Sequence, residues 1–180
     1  MSVFVKKLGG IEYYRIDDHR AAGIIPYFIS NGKVFIMINT EYKNDELLHN
    51  IIGGKVDKND NLISDTMIRE FNEETGFLLF DKIKLLREKL LKETILLEKP
   101  KYMISLLKVE LDNCWKNLPD LYSKMYKNEN IFLDRESEKI KWINLFEFNE
   151  ECTYLLTLAL YKLKKYFFKF DIDQNNLFVD

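Results

Sequence analysis

The sequence has few cysteines, almost no net charge and no signal for export. Its two cysteines, Cys114 and Cys152, are far apart and form no CxxC pair, which argues against a disulfide framework and against a zinc site. A reduced intracellular compartment, the cytoplasm, is therefore expected. The 27 basic and 29 acidic residues give a net charge of −2, so no overall field attracts nucleic acid or an anionic membrane. Any polyanionic substrate must be held by local charges or by metal ions.

A long apolar run is also missing. Residues 1–7 lack the apolar core of a signal peptide. The most apolar stretch, residues 154–170, is shorter than the roughly 20 residues that a membrane span needs, and lysines interrupt it. We predict a buried helix whose lysine side chains reach water, and no membrane partner.

The length and composition of the chain are those of one ordinary globular domain. Its 180 residues, 47% hydrophobic and 14% aromatic, can fill a single core. No internal repeat, low-complexity block or interdomain linker is present. The sequence therefore predicts a single domain over residues 1–180.

Strand and helix signals alternate along the chain and predict an α/β fold. Asn31-Gly32 separates two apolar, β-branched runs and is a strong hairpin signal. We predict strands at 11–16, 21–30, 33–39, 49–56, 102–111 and 140–145, helices at 62–75 and 150–170, and a loop at 40–48. Residues 82–97 fit a helix or strands, and strands are favoured because 98–101 resembles a turn. Residues 112–134 are irregular and aromatic, consistent with a helix flanked by loops.

The helix predicted at 62–75 carries an unusual set of acids. Gly76 is placed to end it, and Asp60, Asn61 or Ser64 could cap its start. A helical wheel puts Glu70 and Glu74 on the same stripe as the apolar residues Ile63, Met67 and Phe71. It puts Asp65 and Asn72 on the opposite, solvated side.

The position of these glutamates decides between two interpretations. A charged surface face is the usual explanation of acidic helix residues, but Glu70 and Glu74 point toward the side that must pack. Partly buried carboxylates are costly unless they are paired or bind a metal. Because the ligands would be oxygens only, Mg²⁺ or Mn²⁺ is favoured over zinc.

The stretch from Gly54 to Phe77 resembles the signature of the Nudix hydrolases. That signature is a glycine, five residues, a glutamate, seven residues, and then Arg-Glu-aliphatic-x-Glu-Glu-x-Gly-aliphatic. Residues 69–77 match every defined position, with Phe71 and Phe77 as the apolar members. The first glutamate is replaced by Asp60, and eight residues rather than seven separate it from Arg69. The resemblance implies a Nudix-type α/β/α sandwich with a mixed β-sheet, in a family where homodimers are common.

The resemblance also implies roles for individual residues. Glu70, Glu73 and Glu74 would bind the catalytic Mg²⁺ or Mn²⁺ ions, and the backbone carbonyl of Gly53 would add a ligand. Structural support of the site would come from Arg69, Gly54 and Gly76, with Arg69 bracing the helix through an ion pair. The family places its general base variably, and the candidates here are Glu70, Glu136 and Glu138.

Candidates for substrate binding rest on residue type alone. Aromatic side chains can stack on a base, although they more often belong to a core. The aromatic candidates are Tyr27, Phe28, Trp115 and Tyr122. Lysines that could meet phosphates are Lys99, Lys101 and Lys141. His19 and His49 have no company typical of a metal site or a catalytic triad.

The resemblance implies hydrolysis of a diphosphate linkage in a nucleoside diphosphate joined to another group. The products would be a nucleoside monophosphate and the phosphorylated group, so the expected partner is a small nucleotide. One alternative is removal of an RNA cap, although no basic stripe supports RNA binding. The other is a silent nucleotide sensor, which the altered first half of the signature permits and the complete set of glutamates opposes.

Overall fold

A computed structural model describes residues 2–7, 10–15, 19–43, 45–99, 101–127 and 138–175. The elements up to the first helix are β1 (Ser2–Lys7), β2 (Gly10–Arg15), β3 (Ala21–Ser30), β4 (Lys33–Lys43), β5 (Glu46–Asn50), β6 (Ile52–Lys55) and α1 (Ile63–Glu74). They are followed by α2 (Phe80–Leu85), a 3₁₀ turn (Arg87–Lys89), β7 (Thr94–Leu97), β8 (Tyr102–Lys108), α3 (Asn113–Lys127), β9 (Lys139–Asn144) and α4 (Tyr154–Asn175).

Strand β3 lies at the centre of a mixed sheet with the order β2-β1-β7-β8-β3-β4-β5. It pairs in parallel with β8, from Ala21 opposite Tyr102 to Tyr27 opposite Lys108. On its other side the first half of β3 pairs with β6 and the second half with β4, both antiparallel. Strand β9 pairs with β4. The predicted mixed sheet is confirmed.

Apolar side chains cover both faces of this sheet. Alternation along β4 sends Met37 into a cluster with α1 and α3, and Ile36 into a second cluster with α4. Phe71 of α1 and Leu163 of α4 are fully buried, one on each face. Burying such a side chain contributes about 1.5–3 kcal/mol. Helices therefore flank the sheet on two sides, and the α/β/α sandwich that the resemblance implied is confirmed.

The Asn31-Gly32 hairpin between β3 and β4 is also confirmed. Both residues have positive φ angles, 51° and 70°, and Ser30 pairs with Lys33 across the turn. Positive φ angles at both central residues match the twist of the flanking strands, and asparagine and glycine tolerate them best.

The helix considered for residues 112–134 is present as α3, and residues 128–134 lie outside the described part. Pro119 lies inside α3 and has no N–H to donate to the carbonyl of Trp115, four residues earlier. The indole Nε1 of Trp142, on β9, donates to that carbonyl at 3.1 Å. A side chain of the sheet thus supplies the donor that the proline removes.

The loop predicted at 40–48 is wrong. Strand β4 continues to Lys43, and Thr40 pairs with His49 of β5 across a turn in which Asp45 has a φ of 66°. The strand predicted at 49–56 is divided at Ile51, because β5 pairs with β4 whereas β6 pairs with β3. Antiparallel strands can keep one face in water and then carry many polar residues. The polar residues of this hairpin therefore led to the prediction of a loop.

The strands predicted across 82–97 are wrong for most of that stretch. Residues 80–85 form α2 and residues 87–89 form a 3₁₀ turn, so that only Thr94–Leu97 is a strand. Leu79 and Ile83, four residues apart, both enter the α1-side core. This helical spacing decided the local structure.

The start of α1 differs from the prediction. Leu62 is the N-cap residue, and none of Asp60, Asn61 and Ser64 takes that role. The carboxylate of Asp65 instead accepts the backbone N–H groups of Leu62 at 2.8 Å and Asn61 at 3.1 Å. Asp65, the third residue of the helix, thus reaches back to the N–H of the N-cap residue, as the acid of a capping box does.

The end of α1 follows the prediction. Gly76 has a φ of 65° and donates its N–H to the carbonyl of Glu73. The N–H of Phe77 donates to the carbonyl of Asn72. These two bonds form a Schellman motif, for which glycine is the preferred residue. The solvated position predicted for Asn72 is wrong, since its exposure is 2%. Helix α2, the disfavoured alternative for the start of residues 82–97, packs against α1.

The remaining boundaries differ by a few residues. Helix α4 begins at Tyr154 rather than 150 and continues to Asn175, and β8 ends at Lys108 rather than 111. Strands β2 and β9 lie within one residue of the predicted 11–16 and 140–145, whereas β1 was not predicted. No helix in the described residues is both long and apolar enough to cross a membrane.

Candidate active site

Helix α1 presents two buried carboxylates to the sheet. Glu70 and Glu74 have exposures of 6% and 3%. An oxygen of Glu74 accepts the backbone N–H of Gly53 at 3.1 Å and the side-chain amide of Asn39 at 2.8 Å. Glu74 is thus fixed between β6 and β4. The inward orientation that the helical wheel gave to both glutamates agrees with this burial.

Gly54 leaves the space that Glu70 occupies. A Cβ atom at position 54 would lie 2.3 Å from the Oε2 atom of Glu70. Cβ atoms essentially never lie so close to another heavy atom, so a larger residue at position 54 requires Glu70 to move. The neighbouring Gly53 is equally close to Gly23, whose Cα atom would lie 2.3 Å from an added Cβ. The paired glycines therefore bring backbone and carboxylate together.

Arg69 connects the acids of α1 to the loop before the helix. Its Nη1 atom donates to Glu70 at 2.8 Å and to Glu73 at 3.1 Å. Its Nε and Nη2 atoms donate to the two oxygens of Asp60 at 3.3 and 3.0 Å, and Nη2 also bonds the carbonyl of Lys55 at 2.7 Å. The hydrogen bonds to Asp60 raise the pKa of Arg69, although burial opposes this. Arg69 is thus ionised.

Asp60 reaches Arg69 despite the extra residue in the loop. Burial by itself would raise the pKa of Asp60, but hydrogen bonds from Arg69, the backbone of Asp57 and the hydroxyl of Thr66 lower it. The Thr66 hydroxyl donates at 2.8 Å and the Asp57 N–H at 2.9 Å. The shorter acid therefore stands where the family signature has a glutamate and makes a two-pronged bond to the arginine.

The donor atoms suit a hard divalent ion, although their present hydrogen bonds compete with it. Glu70, Glu73 and Glu74 offer only carboxylate oxygens, which Mg²⁺ and Mn²⁺ prefer. Among the described residues, no three acidic, histidine or cysteine side chains converge as a ready metal cluster. Glu73 is exposed, and Arg69 lies between it and Glu70. Binding by all three carboxylates requires some of these oxygens to exchange a hydrogen bond for a metal bond.

Three residues near the acids were missed from the sequence. Asn39 holds Glu74, and Glu41, two residues further along β4, accepts the amide of Asn50 at 2.9 Å. Tyr102 lies beside Gly53, and its buried hydroxyl oxygen has no hydrogen-bond partner among the described residues. Burial, together with the negative charges of Glu74, Glu70 and Glu41, raises the pKa of Tyr102 well above its usual value. The period-two pattern Met37, Asn39, Glu41 could have indicated the two β4 residues; no sequence signal indicated Tyr102.

Of the candidate bases beyond α1, Glu138 is described and Glu136 lies outside the described residues. The backbone N–H of Glu138 bonds to the carbonyl of Thr40 at 2.7 Å. Because Thr40 pairs with Lys139, Glu138 lies opposite Glu41 at the end of β4 that also carries Asn39. This position is compatible with a role at the site, which stays a prediction.

The aromatic candidates lie mainly in the core. Trp115 and Tyr122 have exposures of 1% and 6% and pack in the cluster on the α1 side. Tyr27 packs edge-on against Phe167 in the other cluster, and its hydroxyl donates to Glu93 at 3.3 Å. Burial and Glu93 raise its pKa.

Phe28 is half-buried, with its ring centroid 4.9 Å from that of Phe35 and 4.8 Å from that of Trp142. Its packing is that of a core residue, as it is for the other three aromatic candidates. None of these contacts involves the acids of α1, and substrate binding by the four residues stays a prediction.

Lys141 lies in an ion pair. Its Nζ atom is 2.9 Å from each carboxylate oxygen of Glu150 and 3.3 Å from Nε2 of His49, which also contacts Glu150 at 2.8 Å. Lys99 and Lys101 are exposed. His19 is buried.

Comparison with known proteins gives a family match. A family described as the NUDIX domain matches residues 17–154. A solved structure of an Ap4A hydrolase from C. elegans is 17% identical, with 87% of this chain and 99% of that chain covered and a TM-score of 0.42. The NUDIX domain of Shewanella oneidensis NrtR with ADP ribose is 8% identical, with 84% and 93% covered and a TM-score of 0.43. The search of curated proteins gave no match.

Proposed function

Because the chain belongs to the Nudix family of hydrolases, which cleave pyrophosphate bonds, we propose that its substrate is a nucleoside diphosphate joined to another group. Hydrolysis of the diphosphate linkage yields a nucleoside monophosphate and the phosphorylated group. The reaction depends on a divalent metal ion, Mg²⁺ or Mn²⁺. Location in the cytoplasm and assembly as a homodimer remain predictions.

One observation carries this proposal: two carboxylates on one helix face are buried against paired glycines. Buried carboxylates that only stabilise a fold are rare, since their desolvation is costly. Glu70 and Glu74 nevertheless lie side by side; Glu74 is held by polar groups of β4 and β6, and Glu70 by Arg69 of the same helix. Such an arrangement supports a cation-binding role better than a surface role.

The residues of this chain divide the work at the site. Glu70, Glu73 and Glu74, with the carbonyl of Gly53, would hold the ion. When bound, Mg²⁺ or Mn²⁺ neutralises phosphate charge and lowers the pKa of a coordinated water. Asn39 and the N–H of Gly53 orient Glu74. Arg69, held by Asp60, orients Glu70 and Glu73. A carboxylate among Glu70, Glu136 and Glu138 takes the proton from the attacking water.

The test is hydrolysis of a panel of compounds with Mg²⁺ or Mn²⁺. The panel holds ADP-ribose, dinucleoside polyphosphates, NADH, nucleoside triphosphates, diphosphoinositol phosphates and capped RNA. We expect release of a nucleoside monophosphate from at least one, and a loss of roughly 100-fold in kcat for Glu74→Gln, since residues that merely support a metal ligand are worth about 10–100-fold. The exposed Glu88→Gln is the control. Tight binding without cleavage of any compound would favour the sensor.

Two further comparisons resolve the alternatives within the enzyme class. Glu70→Gln, Glu136→Gln and Glu138→Gln at saturating metal identify the base, because loss of a general base lowers turnover by roughly 100-fold or more. If neither late substitution lowers turnover even about tenfold, the base lies in α1. Cap removal predicts a steep loss of binding with added salt, since several RNA phosphates are contacted. A small nucleotide predicts a shallow dependence.

A further inference from the structure

A cavity of about 700 Å³ opens at the end of the sheet where β3 and β8 finish. Its apolar walls come from β8 and its continuation, α2 and the start of α3, and include Leu86, Leu106, Leu107, Val109 and Trp115. Tyr27 and Glu93 also line it. This volume is typical of small-molecule sites.

The cavity is separate from the acids of α1, since the described residues that line it include none from that helix. Tyr27, at the cavity, lies four residues along β3 from Gly23, which faces Gly53. At 3.3 Å per residue the separation is about 13 Å. Lys108, also at the cavity, lies six residues along β8 from Tyr102, or about 20 Å. A ligand in the cavity would therefore occupy a second site.

The charged residues that line this cavity carry a small excess of positive charge, in a protein of slightly negative net charge. Four lysines line it, Lys82, Lys89, Lys92 and Lys108, together with three acids, Glu93, Glu110 and Asp112. Two of the acids already have partners within the protein. Asp112 pairs with Lys82 and accepts the N–H of Trp115, and Glu93 accepts the hydroxyls of Tyr27 and Tyr166.

The three remaining lysines form no ion pair with the described residues. Across the part of the chain that the structure describes, no carboxylate lies within ion-pair distance of Lys89, Lys92 or Lys108. Glu93 and Glu110 face these three lysines, because accepting tyrosine hydroxyls leaves the charge of Glu93 unchanged, so one positive charge is in excess. Like charges around a partly enclosed, apolar-walled space repel one another, and an anion placed between them removes that repulsion.

We propose that this cavity binds a small phosphate-bearing molecule at a site distinct from the acids of α1. Phosphate groups fit lysines, which act as rotatable point charges and need no planar partner. The source is either free pyrophosphate or a nucleotide, whose non-phosphate part would contact the apolar walls. The site lies beyond the proposed hydrolytic function and does not depend on it.

Binding is measured by calorimetry on the full chain carrying Glu74→Gln, without divalent metal. Hydrolysis and metal-bridged binding at α1 are then both absent, so a failure of the proposed hydrolysis leaves this result intact. The probes are inorganic pyrophosphate and AMP. We expect at least one to bind with a Kd below roughly 1 mM. Binding of pyrophosphate indicates that phosphate alone is recognised, and binding of AMP alone indicates a nucleotide.

Charge-matched variants locate the site. The triple variant Lys89→Gln, Lys92→Gln and Lys108→Gln is expected to raise Kd at least tenfold. A control triple removes the same charge from exposed lysines elsewhere, Lys43, Lys124 and Lys165. Equal weakening by both triples would indicate only long-range charge and overturn the proposal, as would no binding of either probe.

Amide chemical shifts keep the test independent of variant folding. In the Glu74→Gln chain, titration with the bound probe is expected to move the signals of Leu86, Lys108 and Val109. Shifts confined to Gly53, Gly54 and α1 would place the anion at the acids and overturn the second site.

Discussion

Arg69 is the residue through which the irregular loop before α1 acts on the acids. Its guanidinium meets Asp60 on one side and two glutamates on the other. Losing Asp60 would leave a half-buried cation with fewer partners and free Arg69 to reorient. The stability of the protein and the alignment of Glu70 and Glu73 thus both depend on the side chain of Arg69.

Replacing Asp60 with asparagine should lower stability in a pH-dependent way. Asp60 has a lowered pKa in the folded protein, so its contribution is fully present above the ordinary aspartate pKa and is lost as pH falls through the lowered value. We expect Asp60→Asn to lower the free energy of unfolding by about 1–3 kcal/mol at pH 7, measured with urea. At a pH near 2 to 3 the difference from wild type should shrink.

The control for this prediction is Asp81→Asn. Asp81 is exposed on α2, so its substitution should change the unfolding free energy by less than about 0.5 kcal/mol at either pH. A deficit of Asp60→Asn that stayed constant between the two pH values would contradict the charge-based explanation.

Gly54→Ala should impair catalysis more than stability. The new Cβ meets the end of the Glu70 side chain, which can rotate away, so the fold survives while the carboxylate moves. Displacing a catalytic group by about 1 Å can cost roughly 100-fold in rate, and we expect a fall in kcat of roughly 10–100-fold.

Gly32→Ala, in contrast to Gly54→Ala, should lower stability and leave kcat unchanged. Nothing lies within 4 Å of an added Cβ there, but the φ of +70° strains alanine. A loss of about 1 kcal/mol in stability with unchanged kcat is expected. If Gly54→Ala behaved like Gly32→Ala, the close contact with Glu70 would have no catalytic importance.

At the scale of elements, different interactions fix the two ends of α1. A glycine motif ends it, and the carboxylate of Asp65 satisfies the donors at its start while also pairing with Arg87 of the 3₁₀ turn. The helix that carries the acids is therefore fixed to the segment that follows α2.

Asp65→Ala should cost more than Arg87→Ala. The first substitution leaves two backbone N–H groups without their acceptor and should lower the unfolding free energy by about 1–2 kcal/mol. The second removes an exposed ion pair worth less than about 1 kcal/mol. Thermal unfolding at low and high salt checks this, since the Arg87 effect should nearly vanish at high salt, whereas the larger part of the Asp65 effect, the lost backbone hydrogen bonds, should persist. Equal losses would mean that the ion pair, not the capping bonds, fixes the helix start.

The elements show where sequence was sufficient. Residues 69–77 were interpretable because helix spacing, acid placement and the terminal glycine all pointed to one structure, and the Asn31-Gly32 turn has local causes. The prediction of a loop at residues 40–48 was wrong because the sequence of a polar hairpin resembles that of a loop. Tyr102 could not be assigned, since its contact with the site joins residues far apart in sequence.

At the scale of the whole molecule, the two faces of the sheet have different tasks. The α1 face carries the acids, and the α4 face is an apolar layer. Both clusters pack on one sheet; a single domain over residues 1–180 stays a prediction.

Leu163→Ala should lower the stability of the protein without lowering its kcat. Leu163 is fully buried under α4, and its truncation should cost about 2–5 kcal/mol through lost burial and a residual cavity. The kcat per folded molecule should stay near wild type at low temperature. Tyr161→Ala, at a 70% exposed position of the same helix, should change stability little. A large fall in kcat for fully folded Leu163→Ala would show that the two faces are coupled.

The bond from Trp142 to the carbonyl of Trp115 affects how the molecule opens. Because Pro119 gives that carbonyl no helical donor, detaching β9 would leave it unsatisfied inside the core. Helix α3 and strand β9 should therefore unfold as one cooperative unit, with matching amide hydrogen-exchange rates around residues 115–122 and 140–144. Pro119 would interrupt an isolated helix. In this protein it makes the stability of α3 depend on whether β9 stays paired in the sheet.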